Sequence, residues 1–184
     1  MIKKLWIACI AIAFVGTVNA QDVKFGAKLG MNISSLNGDD VTNIDAKTGF
    51  VVGVTAEVFL TEKFSIQPEL LFSQQGARSK GNFTYDLNYI TLPVMAKYYI
   101  TKGFSVEAGP QFSFLVKDEF ILENGGATMD TEVANFDLNA NVGLGYKFDN
   151  GIFVQTRYNL GLIDLSEDTG VKNGVFQMSV GYQF

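Results

Sequence analysis

Along most of this chain, apolar and polar residues alternate with period 2, in runs of about ten residues or more broken by polar, glycine-rich segments. Eight such runs are legible, over residues 23–33, 49–60, 64–73, 88–100, 103–116, 135–148, 151–162 and 174–184. The last, "GVFQMSVGYQF", shows the pattern: Phe176, Met178, Val180, Tyr182 and Phe184 take alternate positions, with Gln177, Ser179, Gly181 and Gln183 between them. Beyond the first 20 residues no window carries a helical period. The connectors alternate in length. Residues 61–63, 101–102 and 149–150 read as tight turns, the last joined to a strong hairpin pair at Asn150–Gly151. Residues 34–48, 74–87, 117–134 and 163–173 read as long loops. This plan predicts an all-β fold of one domain: an eight-stranded antiparallel up-and-down barrel.

Alternation does not by itself say which face points inward, but the residue types do. One face carries Phe25, Ala27, Leu29, Met31 and Ile33 on the first run, Phe50, Val52, Val54, Ala56, Val58 and Leu60 on the second, and similar residues on the rest, with no Asp, Glu, Lys or Arg. The other face carries Lys24, Lys28, Glu57, Glu69, Lys97, Glu107, Asp137, Lys147 and Arg157, together with glycines at positions such as 26, 30, 53, 109, 143 and 181. The interior of an eight-stranded barrel is only just wide enough for side chains to fill. It has no room for several large apolar residues from every strand, whereas it accommodates glycines and a modest polar set. The apolar face therefore points out, which is an aggregation hazard in water and a requirement in lipid. The prediction is a transmembrane barrel. Its inner charges nearly cancel, so Lys28, Glu57, Glu69, Lys97, Glu107, Asp137, Lys147 and Arg157 are expected to form a paired ladder across the lumen. That ladder reads as a structural plug, the alternative being a small-solute channel.

The N-terminus adds a compartment. "MIKK" followed by "LWIACIAIAFVG" and "TVNA" has the basic, apolar and small-residue parts of a secretory signal peptide, placing the cut after Ala20. Residues 1–20 are assigned to the signal and 21–184 to the barrel. Cys9 lies inside the apolar run rather than at a lipid-attachment position, and it leaves with the signal, so no thiol chemistry remains. Loss of Lys3 and Lys4 takes the 14 Lys+Arg to 12 against 19 Asp+Glu, a net charge of −7. An acidic chain with no basic run is not a nucleic-acid binder. The chain contains no histidine, which excludes Ser–His–Asp triads and His-based zinc sites. No catalytic residue, cofactor or metal ligand is assigned. "NGDDVTNID" lacks the spacing of a calcium-binding loop, and the glycines of "GLGYKFDNG" open no helix that would cradle phosphate.

Four stretches resemble a known family. "KFGAKLGMNIS", "FSIQPELLFSQQGA", "NYITLPVMAKYYI" and "RYNLGLIDLS" are similar to the first, third, fourth and seventh strands of PorT-like outer-membrane β-barrels of the Bacteroidota. The resemblance spans essentially the whole mature chain and implies secretion followed by insertion in the outer membrane. The closing strand is similar to the signal that outer-membrane barrels present to the barrel-insertion machinery, carried here by Val180, Tyr182 and Phe184. Short turns would then be periplasmic and long loops extracellular. Those loops hold Asp39, Asp40, Asp45, Asp118, Glu119, Glu123, Asp130, Glu132, Asp164, Glu167 and Asp168. Expected partners are outer-membrane lipid, lipopolysaccharide bridged through divalent cations, and a surface protein met by the loops. Phe120, Ile121 and Leu122 are expected to extend the fifth and sixth strands beyond the membrane as a protruding sheet. The expected function is that of a non-enzymatic outer-membrane anchor whose loops stabilise the envelope or interact at the surface.

Overall fold

The computed structural model describes residues 23–37, 44–79, 83–122, 128–129, 135–162 and 172–184. The signal segment and most of the loop acids, among them Asp39, Asp40, Glu123, Asp130, Glu132, Asp164, Glu167 and Asp168, lie outside the described residues. The strands are β1 (Val23–Asn37), β2 (Ile44–Phe59), β3 (Phe64–Ser79), β4 (Phe83–Tyr99), β5 (Phe104–Leu122), β6 (Thr128–Met129), β7 (Phe136–Lys147), β8 (Ile152–Gly161) and β9 (Lys172–Gln183). β6 is a two-residue piece on the end of β5. The other eight close into one antiparallel barrel in chain order, β9 returning to pair with β1 from Gly26↔Gln183 to Asn37↔Lys172. Closure leaves no sheet edge within the wall, as a hydrocarbon surrounding demands.

The two faces separate as their residue types dictate. Leu29, Met31, Val54, Val142, Met178 and Tyr182 stand exposed on the outer wall, while Lys28, Asn32, Glu57, Glu69, Asn141 and Arg157 are buried in the lumen. The outer wall is ringed by aromatic residues near both ends, including the pairs Phe50–Phe72 and Phe114–Phe136 at one end and Tyr146–Phe148 at the other. Such girdles mark the two interfaces of a membrane barrel.

At the end bearing the tight turns, "LTEKF" and "ITKGF" close alike. Leu60 and Ile100 donate their amides to the carbonyls of Phe64 and Phe104 at 2.9 Å, and the Thr61 and Thr101 hydroxyls accept from the amides of those phenylalanines at 3.0 and 3.1 Å. The third turn uses Asn150, whose Oδ1 accepts from the Ile152 amide at 3.1 Å, and Gly151, held at φ +88°. That positive φ is the left-handed residue of a three-residue hairpin loop, which is why glycine stands there.

The loop end departs from the sequence expectation. β3 continues to Ser79 and β4 starts at Phe83, so most of the segment read as a loop over 74–87 is hairpin. Its residues, among them Gln74, Gln75 and Arg78, break the apolar alternation because a strand beyond the hydrocarbon has no need of a greasy face. β5 likewise runs to Leu122, but it pairs there with β4 (Phe83↔Leu122) and with β6, whereas β7 begins only at Phe136. The sheet extending past the barrel rim thus takes in strands three and four as well as the expected pairing at Phe120 and Ile121, which face Met129 and Thr128 of the segment leading to the sixth barrel strand.

Two further features escaped the period-2 reading. The inner face is not uniformly polar, since Val51, Leu71, Tyr89, Met95, Tyr99 and Phe153 are buried within it. All three prolines fall on adjacent strands, and pairing lapses on three successive seams: 56–57 against 67–68 beside Pro68, 69–70 against 92–93 at Pro93, and 94–95 against 109–110 at Pro110. Each proline lacks the N–H its seam requires, and the register resumes unchanged beyond it.

Candidate functional site

The lumen holds the chemistry of this molecule, arranged in layers by strand parity. Around the barrel, β1, β3, β5 and β8 are every second strand, and their inward residues Lys28, Glu69, Glu107 and Arg157 meet in one layer. Lys28 Nζ lies 2.7 Å from Glu69 Oε2. Arg157 binds Glu69 with both terminal nitrogens, at 2.8 and 2.7 Å, and donates Nε to Glu107 Oε1 at 2.5 Å. β8 and β3 are four strands apart in either direction, so the Arg157–Glu69 pair crosses the full width of the barrel. Gln67 donates to Glu69 Oε1 at 2.6 Å and Gln155 to Glu107 Oε2 at 3.2 Å, so all four carboxylate oxygens have partners. The bidentate fork suits arginine, whose planar N–H pairs match a carboxylate. Gly143 makes the space, because a Cβ there would stand 2.8 Å from Arg157 Cγ.

A second layer, nearer the turn end, draws its charges from the intervening strands β2, β4 and β7, with Gln183 from β9. Glu57 on β2 faces Lys97 on β4 at 3.2 Å and accepts hydrogen bonds from Ser65 and Tyr99 at 2.6 Å and from Gln183 at 2.8 Å. Lys147 on β7 joins through Gln183 Oε1 at 3.1 Å and lies 4.9 Å from the Phe59 ring centre and 5.4 Å from that of Tyr99. Those aromatic faces supply a cation–π environment. Beside this layer lies a cavity of about 10 Å³, room for about one water molecule.

The expected ladder residues are therefore not one continuous chain. Seven fall into these two layers. Asp137 stands apart on β7 toward the loop end, accepting from Asn139 Nδ2 at 2.9 Å within an uncharged network that includes Ser113 and Gln111. Lys24, on the inner-face register, is exposed at the turn-end mouth, 5.4 Å from the Phe59 ring centre. Sequence reasoning passed over Gln67, Tyr99, Gln155 and Gln183, although each lies on the inner parity two residues from a charged lumen residue or at the chain end. Chemically the layers hold charges in place rather than expose them: Glu69 and Glu107 are engaged by Arg157 and unavailable as bases. Among the described residues no group of three acidic side chains is placed to hold a metal ion.

The seam that joins the chain ends sets the three terminal positions. Val180 stands opposite Leu29 and Tyr182 opposite Ala27, and the amide of Phe184 donates to the Phe25 carbonyl at 2.9 Å.

Comparison with known proteins places this geometry. The solved structure of Ail, the attachment invasion locus protein of Yersinia pestis, superposes with a TM-score of 0.56 at 14% identity, covering 89% of this chain and 99% of that one. Neisserial surface protein A superposes with a TM-score of 0.60 at 11% identity, covering 89% and 99%. OprG from Pseudomonas aeruginosa gives 0.50 at 12% identity, covering 90% and 98%. Identities this low show a shared fold. No curated protein is matched by the sequence. Residues 19–167 match the outer membrane protein beta-barrel domain, most of the chain and seven of the eight barrel strands. With its closed barrel, apolar outer wall and charged lumen, this chain belongs to the outer membrane protein beta-barrel family and resides in the outer membrane.

Proposed function

We propose that this protein is a non-enzymatic outer-membrane anchor of the PorT-like kind, its barrel plugged by the two charged layers and its activity carried by the extracellular loops. The observation behind this reading is the Arg157–Glu69 pair, buried and spanning the lumen from β8 to β3. A water-filled solute path would have to pass that pair, and moving either partner aside leaves a charge uncompensated. Absence of histidine and the engagement of Glu69 and Glu107 favour a non-catalytic role.

Three of the four long loops, over 34–48, 117–134 and 163–173, are acidic, which suits divalent cations bridging to lipopolysaccharide phosphates, or a cationic surface of a protein partner. Ail has been solved with the heparin analogue sucrose octasulfate. Acidic loops would repel such a polyanion, so this chain's partner is of different chemistry. During biogenesis the insertion machinery reads Val180, Tyr182 and Phe184, a role consistent with their position on the closing seam. The test is planar-bilayer conductance of refolded residues 21–184, with folding verified by heat-dependent gel mobility. A folded, silent barrel is expected; reproducible single-channel steps overturn the plug and install the small-solute channel in its place.

A further inference from the structure

We infer that the loop-end half of the lumen binds a file of structural water molecules that stops at the Lys28–Glu69–Arg157–Glu107 layer. Five buried side-chain oxygens have no hydrogen-bond partner in the protein: Tyr89 Oη, Thr91 Oγ1, Asn141 Oδ1, Asn159 Oδ1 and Ser179 Oγ. A sixth, Asp86 Oδ1, faces the Lys47 ammonium and is accounted for by that ion pair. The five are not scattered. Tyr89 and Thr91 pair with Leu115 and Ser113, loopward of Glu107 on β5, and Asn141 pairs with Asn159, one inward position loopward of Arg157 on β8. Ser179 pairs with Gly30, one inward position loopward of Lys28, and on its other side with Gln155, so it stands at the level of the charged layer. Four of the five therefore stand on the loop-end side of that layer and the fifth at its upper face. Buried polar atoms are almost always satisfied, by protein or by ordered water, and a one-sided group of exceptions marks a place where water does the satisfying.

The donor and acceptor types select the ligand. Asn141 and Asn159 are direct cross-strand partners of β7 and β8. The Asn141 amide nitrogen donates to Gln111 Oε1 at 3.0 Å, which fixes the side chain with its oxygen left as an acceptor. Two amide oxygens repel an anion. A cation is opposed by Arg157, one inward position below Asn159 on the same strand, while both carboxylates of the charged layer are already occupied. Water meets both demands, donating to the amide oxygens and exchanging hydrogen bonds with the Ser179, Thr91 and Tyr89 hydroxyls. Below the charged layer no described side-chain oxygen is left in this state, so the file ends there.

The inference concerns the lumen alone and does not depend on what the loops recognise. It is tested on refolded residues 21–184 in lipid nanodiscs by water–protein cross-relaxation. Cross-peaks of long-residence sign are expected from water to the side-chain amides of Asn141 and Asn159. In Asn159→Leu the peak at Asn141 should weaken several-fold and the urea midpoint should fall, with the heat-dependent gel shift retained. Wild-type protein without those peaks overturns the inference, as does an Asn159→Leu barrel with a raised midpoint, which would mean that a dry, unmet oxygen had been removed. If Asn159→Leu does not fold, the wild-type spectrum decides. Channel steps in the bilayer experiment would refute the plug, whereas missing cross-peaks would refute the water file.

Discussion

Replacing Arg157 by methionine separates a stabilising ion network from a merely crowded one. The guanidinium is buried and serves two carboxylates, with two bonds to Glu69 and one to Glu107. Methionine keeps an unbranched apolar stem about as far as the arginine Nε and removes the charge and the donors with the guanidinium. What remains is Glu69 with Lys28, and Glu107 with the neutral Gln155 amide as its side-chain partner, so the layer goes from balanced to one negative charge in excess. Breaking a buried pair by removing one member costs about 3–5 kcal/mol, because the survivor stays desolvated. Lys28→Met should cost less, since Glu69 keeps both arginine bonds. The combined variant with Lys28→Met, Glu69→Gln, Glu107→Gln and Arg157→Met should regain most of the loss, because no uncompensated charge is left behind. The only tryptophan, Trp6, is absent from refolded residues 21–184, so tryptophan fluorescence cannot report on that barrel. Urea titrations in lipid vesicles, followed by the gel mobility of folded and unfolded forms, measure all three variants. An Arg157→Met barrel within about 1 kcal/mol of wild type, or a combined variant less stable than the single one, would refute the argument that unpaired charge sets the cost.

Two other perturbations reach different parts of the chain. Gly151→Ala places a Cβ at φ +88° and 2.6 Å from the Gln183 carbonyl oxygen, so the same titration should show a loss of about 1–3 kcal/mol; an unchanged midpoint would mean the turn relaxes freely. Deleting Phe184 removes one backbone bond to Phe25 and a side chain that is 74% exposed, so the refolded barrel should lose only about 1 kcal/mol. Assembly in cell envelopes, scored as the heat-modifiable fraction, should nevertheless fall several-fold, and equal assembly of both forms would sink the insertion-signal reading.

The wall was legible in the sequence and the wiring of the lumen was not, for reasons that particular residues make plain. Parity at Leu29 and Lys28 is a local property, and the narrowness of an eight-stranded interior converts it into outside and inside without knowledge of any contact. Parity fails where its premise fails. Gln74 to Ser79 remain in a strand although they have left the hydrocarbon that enforces the apolar pattern, and Tyr89 and Met95 sit inward because a lumen this narrow still needs volume filled. Which charges meet depends on how far the strands slip past one another around the whole circumference, and that slip is a sum over eight seams. A change of one residue at any seam would turn a strand's faces inside out; a change of two would keep them and yet move Arg157 away from Glu69. The apolar wall tolerates such a two-residue slip and the charged layer does not. Lys28, Glu69, Glu107 and Arg157 therefore have a role beyond filling the barrel: together they select one closed register among those that the greasy exterior alone would permit.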